Sequence, residues 1–186
     1  MSEKKERWIL AAVLPLIVIL LLAVWGAKPR TDEMIIETSA NGFWDLSETD
    51  IRQKAVRLTG AVEYVADALL TPQEFSERPD IHVGQPGSET QYATSRMHLT
   101  VPQGSYLICG YSVDFASRMY VNGELIFEAG IPGNSRETTT PGVKFYLLPV
   151  SPDANGELVI VQQAANFTHK DGGTYGSFFI GPPEQM

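Results

Sequence analysis

Residues 117–130, SRMYVNGELIFEAG, constrain the fold more than any other stretch of this chain. Met119, Val121, Leu125 and Phe127 are apolar on either side of Asn122-Gly123. An Asn-Gly pair accepts the two positive φ angles that a type I′ turn demands, so a tight antiparallel hairpin is predicted. Short strand-like segments lie before and after it, which makes it a central element of an all-β domain.

Those flanking segments set the fold class. Period-two apolar patterns cover 56–70, 92–101, 106–113, 143–150, 157–167 and 175–180, with a first strand near 34–36 and a short edge strand at 81–83. Gly60 marks a bulge or a close backbone approach inside the first long run. Thr71-Pro72 breaks that run, and Ser47, Thr49 and Asp50 are plausible N-caps for a turn of helix within 46–56. Asn41-Gly42 turns the chain ahead of Phe43, Trp44 and Leu46, and Trp44 reads as core. Residues 130–142 form the longest gap without apolar periodicity, a surface loop of the kind that borders binding sites. About eight strands with no helix between them predict an all-β, two-sheet antiparallel sandwich or jelly roll, not a parallel α/β fold.

The first thirty residues belong to something else. From Trp8 to Ala27 the chain carries no charge and is almost wholly apolar. As a helix this run is about 30 Å long, the thickness of a bilayer core. Trp8 and Trp25 stand near its ends, and Lys4, Lys5 and Arg7 precede it as the positive-inside bias prefers. A single-pass anchor contacting lipid through residues 8–27 and a cleaved signal peptide both fit, and each exports the remainder of the chain. The division predicted is a cytoplasmic stub and transmembrane anchor at 1–30 and an extracytoplasmic β-sandwich at 31–186. Acidic residues outnumber basic ones 22 to 14, leaving a net charge of −8. That balance argues against a nucleic-acid partner. The single cysteine, Cys109, has Leu107, Ile108 and Tyr111 around it and reads as an inert thiol in a core with no disulfide.

Catalytic signatures are sparse. His82, His98 and His169 lack metal-ligand spacing, so no metal or cofactor is implied. The segment 153–157, DANGE, has part of a calcium loop's composition without its closing carboxylate and reads as a hairpin turn. Asp114, Glu124 and Glu128 lie near the hairpin, but a glycosidase needs two carboxyl groups flanking one bond, and the sequence does not show that any two of these face each other; solvated strand ends explain them as well. Neither a nucleophile elbow nor a phosphate-binding loop occurs. No enzymatic activity is expected of the chain as it stands. What remains is recognition: aromatic and polar side chains on a sandwich suit sugar rings and hydroxyls. The candidate ligand-binding residues are Tyr111, Asp114, Phe115, Tyr120, Tyr146 and Tyr175, with Phe178 in the wider aromatic pool. A homodimer is a further partner to test.

Four stretches taken in order, LTGAVEYVADALLTPQEF at 58–75, YATSRMHLTVP at 92–102, SRMYVNGELIFEAG at 117–130 and NFTHKDGGTYGSFFIG at 166–181, carry a resemblance. Together they are similar to the extracellular domain of bacterial seven-transmembrane receptors with diverse intracellular signalling modules. They resemble more distantly the sugar-binding jelly roll of β-galactosidase-like hydrolases. The resemblance implies a galactose-binding-like jelly roll that senses a small molecule or carbohydrate. It also implies a role as input module of a signalling protein such as a histidine kinase or diguanylate cyclase. The alternatives are a membrane-tethered carbohydrate-binding accessory protein and, behind it, a glycoside hydrolase-related domain.

Overall fold

The computed structural model describes residues 34–168 and 178–186. In chain order the strands are β1 (Ile35–Ser39), β2 (Phe43–Asp45), β3 (Val56–Gly60), β4 (Val62–Ala66), β5 (His82–Gly84) and β6 (Tyr92–Thr100). They continue as β7 (Tyr106–Val121), β8 (Glu124–Ala129), β9 (Gly142–Val150), β10 (Glu157–Ala165) and β11 (Phe178–Gly181). One short helix, α1 (Pro72–Ser76), separates β4 from β5.

The strands form the expected two-sheet sandwich. Sheet I has the order β1-β3-β11-β7-β9. Sheet II has the order β5-β4-β6-β10-β7-β8, with β2 beside the end of β6 that β4 leaves free. The segments 106–113 and 117–121 are one continuous strand of 16 residues instead of two. Its first half pairs with β9 and β11 in sheet I, and its second half with β10 and β8 in sheet II. The ladder to β9 slips between Ser112 and Phe115, and there the strand bends from one sheet into the other.

Two pairings depart from an all-antiparallel sandwich: β1 runs parallel to β3, and β2 parallel to β6. The chain leaves sheet I after β1, adds β2 to sheet II and returns as β3, so it re-enters beside β1 in the same direction. The hairpin forms as predicted. Asn122 and Gly123 take φ of 48° and 87°, and Val121 faces Glu124 across a two-residue turn. Ile126 is the extra residue of a bulge, since Met119 pairs with Phe127 and Tyr120 with Leu125.

Alternation sends one side of each sheet into a common core. Val56, Leu58, Ile108, Phe178 and Ile180 from sheet I meet Met97, Leu99, Met119, Leu158 and Ile160 from sheet II, all at most 1 % exposed. Each contributes about 1.5–3 kcal/mol of burial. Trp44 is buried among them, as expected. Gly60 is a close approach: with φ of 104°, its missing side chain leaves room for the Ser39 backbone, which a Cβ would meet at 2.1 Å.

Sheet II is covered on its outer side as well. Residues 67–78 cross that face, and α1 presses the fully buried Phe75 onto it. Thr71-Pro72, read only as a break, instead starts a helix through a capping box. Thr71 accepts from the Glu74 backbone, Glu74 accepts from the Thr71 backbone, and Pro72 stands at the first turn, where a proline starts a helix as readily as it breaks a strand. Arg96 lies over the Phe75 ring at 4.7 Å, donates to Ser76 Oγ at 3.2 Å and to Glu63 Oε2 at 2.6 Å. His98 shares that carboxylate oxygen at 3.2 Å and stacks on Phe43, with ring centroids 4.5 Å apart. The apolar run 8–27 lies outside the described residues, among which no helix is long and apolar enough to cross a membrane.

Candidate functional site

At the end of the sandwich where β4 gives out and β6 begins, three segments enclose a hollow of about 410 Å³. Its lining is Asp67, Ala68 and Leu69, Tyr92, and Pro132, Gly133, Asn134 and Thr138 from the loop between β8 and β9. The 130–142 loop, read as one that borders a binding site, forms one wall of this hollow. Hollows of this size hold small ligands.

The walls are fixed by hydrogen bonds that local sequence dictates. Thr94, fully buried on the outer face of β6, accepts from the Leu70 backbone at 2.8 Å and donates to the Ala68 carbonyl at 2.9 Å. Gln163, next to it on β10, donates to the Leu70 carbonyl at 2.9 Å. Together they pin the first wall to the sheet. Asp67 caps the end of β4 with φ of 53°, a left-handed conformation that Asp tolerates better than most side chains, and its backbone N–H donates to the Tyr92 carbonyl at 3.0 Å. Its side chain is exposed at the hollow's mouth.

The second wall is a compact turn. A two-way bridge between Ile131 and Thr140 closes the loop. Inside it, the Ser135 backbone donates to Thr138 Oγ1 at 3.1 Å, Thr138 donates to Asn134 Oδ1 at 3.3 Å, and Thr139 donates to the Ser135 carbonyl at 2.7 Å. Hydrogen bonds from its own backbone and from Ser135 hold the Glu137 carboxyl below the usual carboxylate range. Arg136 donates to the Phe167 carbonyl, and Phe167 stacks on Tyr92 at 6.1 Å, so the turn, the end of β10 and the start of β6 are tied to one another.

Chemically the hollow's lining residues carry one aromatic ring, one carboxylate, one amide and two hydroxyls, from Tyr92 and Thr138, together with backbone groups. That set pairs with the alternating donors and acceptors of a polyol and gives a ring face for C–H contact. Asp67 is the one carboxyl group among the described lining residues, whereas glycoside hydrolysis requires two.

Of the six residues singled out from sequence, the three whose side chains are described, Phe115, Tyr120 and Tyr146, do not line this hollow. Tyr146 is buried in the core with its ring 4.7 Å from Phe127, and burial pushes its phenol pKa up, so it presents no face to a ligand. Phe115 is half-buried where β7 bends, its carbonyl accepting from Ser112 Oγ at 2.9 Å. Tyr120 is half-buried on the outer face of sheet II, between Val161 and Leu125. The side chains of Tyr111 and Asp114, and all of Tyr175 and His169, lie outside what the structure describes. Phe178, from the wider aromatic pool, is core. Of the other histidines, His82 lies on β5 with its ring 5.5 Å from Tyr64. Cys109 is half-buried, and burial raises its thiol pKa. Asp67, Tyr92, Asn134 and Thr138 were not individually legible, because the chain brings them together from segments remote in sequence. The polar composition of 130–142 was the one available signal.

The sequence matches no protein-family model and no curated protein. Among solved structures, a GH2 β-galacturonidase from Eisenbergiella tayi superposes with a TM-score of 0.46 at 11 % identity, covering 72 % of this chain and 25 % of the other. A β-glucuronidase from an uncultured Clostridium species gives 0.44 at 13 % identity, covering 70 % and 29 %. A β-D-glucuronidase from Dictyoglomus thermophilum gives 0.45 at 11 % identity, covering 76 % and 30 %. The chain thus spans less than a third of the length of each of these structures.

Proposed function

We propose that this domain binds a small neutral polyol or carbohydrate in the hollow between Asp67–Leu69, Tyr92 and the 130–142 loop. In this reading it acts outside the cell as the input module of a membrane-bound signalling protein, with residues 8–27 as its anchor. The observation that carries the binding half is the convergence of Tyr92, Asp67, Asn134 and Thr138 on one hollow whose two walls are each pinned by buried or local hydrogen bonds. A wall fixed before the ligand arrives loses little ordering entropy on binding. The signalling half rests on the resemblance carried by the four stretches and on the uncharged run at 8–27. A bound ligand would act by favouring one of two arrangements of the receptor over the other.

Thermal unfolding of the chain in the presence of a panel of neutral monosaccharides and polyols tests the binding. A ligand at a hundredfold its dissociation constant raises stability by about 2.7 kcal/mol. Asp67→Asn, at an exposed position, should remove that shift without lowering the unliganded midpoint, and Asn134→Ala, which also frees Thr138, should remove it at a small cost to that midpoint. The reading fails if no sugar or polyol shifts the transition, or if the shift survives both substitutions. Protease accessibility of the domain in intact cells tests the location separately.

A further inference from the structure

The outer face of sheet I carries apolar side chains on four of its five strands, while β3 contributes Arg57 and Thr59, the latter hydrogen-bonded to Thr38 of β1. Register places Ile36, Arg57, Phe179, Cys109 and Leu147 side by side in one row spanning β1, β3, β11, β7 and β9. The neighbouring positions along the strands extend the patch with Met34 on one side and Phe145 and Val143 on the other. Phe145 is 73 % exposed, Val143 70 %, Ile36 59 %, and Met34 and Leu147 44 % each. Among the described residues, five of the nine large exposed hydrophobics therefore lie on this one face. Arg57, the charged member of the row, holds its guanidinium over the Phe179 ring at 5.9 Å. Sheet II differs, because residues 67–78 and Phe75 cover the middle of its outer face and its exposed Phe43, Val83 and Leu125 stand apart on β2, β5 and β8.

We propose that this face is a dimer interface, on which sheet I of a second copy of the chain stacks about a two-fold axis. Three observations select that occupant. The surface is a pleated sheet with apolar side chains at both edges and in the middle, and such a face is buried by another sheet about 10 Å away with interleaved side chains. Lipid insertion is instead the work of a protruding amphipathic element. The area fits: five strands about 4.8 Å apart and about 20 Å long give roughly 500 Å² per copy, so a pair buries roughly 1,000 Å², the lower limit for a specific interface. The charge fits too. A molecule of net charge −8 repels its own copy through most of its surface, whereas no acidic side chain stands in this row. An isologous contact requires self-complementarity of this kind.

Photo-crosslinking of the full chain, in lipid vesicles or in free solution according to where it partitions, tests the interface. Benzoyl-phenylalanine placed at position 145 should give an adduct of twice the chain's mass, and the same probe at position 125, exposed on sheet II, should not. Leu147→Asp and, independently, Ile36→Asp should weaken dimerisation by roughly thirtyfold, the effect of losing a central apolar anchor. Both positions are solvent-exposed in a single copy, so the thermal midpoint at dilution should hold. The proposal is overturned by adducts to lipid alone, by equal dimer yields from positions 125 and 145, by the absence of any adduct, or by dimer yields that ignore both aspartates.

Discussion

Replacing Thr94 with valine tests whether the first wall of the hollow is held by a single hydroxyl. Valine keeps the shape of threonine, so the fully buried site is neither emptied nor overfilled. The change removes two hydrogen bonds at once, the one from the Leu70 N–H at 2.8 Å and the one to the Ala68 carbonyl at 2.9 Å. A net hydrogen bond is worth about 0.5–1.5 kcal/mol, and a partner stranded away from water costs about 1–3 kcal/mol. Ala68 and Leu70 are half-buried, so water reaches part of what is lost, and the two bonds together amount to about 2 kcal/mol. In a domain of this size that corresponds to about 4–8 °C in the thermal midpoint. Because Ala68 and Leu69 line the hollow, ligand affinity should fall as well, while Thr94→Ser should restore both properties. Hydrogen exchange gives the sharper readout, since the Leu70 amide should lose protection in Thr94→Val far more than amides of the core strands. If Leu70 stays protected and the midpoint moves by less than a degree, the hydroxyl is not what fixes that wall.

Further substitutions probe other parts of the molecule. Gly60→Ala should lower stability by several kcal/mol, because its Cβ would sit 2.1 Å from the Ser39 carbonyl oxygen. Gly123→Ala has similar backbone geometry but meets nothing within 4 Å and should cost only about 1–2 kcal/mol; equal losses in denaturant titration would contradict the packing argument. Gln162 is 5 % exposed and faces the core with its Oε1 unpartnered, so Gln162→Met should raise stability by about 1 kcal/mol in urea unfolding, and a loss would show that the amide is satisfied. Burial, and then the charge of Arg96, lower the pKa of His98, while Glu63 and Glu157 oppose that without reversing it. The unfolded chain therefore binds the extra proton first. Stability contributed by neutral His98 is complete above its unfolded value of about 6.5 and is lost as pH falls through the lower folded value. His98→Gln should flatten the midpoint's slope between about pH 7 and 5, and an unchanged slope would assign it to other groups.

The hairpin and the core-facing alternation could be read in the sequence because both depend on neighbours a few residues apart. Asn122-Gly123 specifies its turn wherever the strands end up, and Met97, Leu99, Leu158 and Ile160 alternate as a half-buried sheet requires. Alternation does not say which of two faces is inward, and so Tyr146, offered as a ligand platform, proves to be core, while Phe145 beside it faces outward. Thr71-Pro72 carried two meanings. Glu74, three residues beyond the threonine, decides between them in favour of a capped helix. The hollow was beyond reach for a different reason: Asp67, Tyr92 and Asn134 meet only because β6 returns alongside β4 and the β8–β9 loop closes over its end. Individually, none of the three differs from an ordinary surface residue.

The bend in β7 has a consequence for how the protein comes apart. Both sheets contain half of one unbroken strand, with β9 and β11 on its first half and β8 and β10 on its second. Peeling either sheet away strips partners from the strand that the other still needs. Denaturation should therefore be all-or-none, with amides at 106–112 and 116–121 exchanging through one shared global opening.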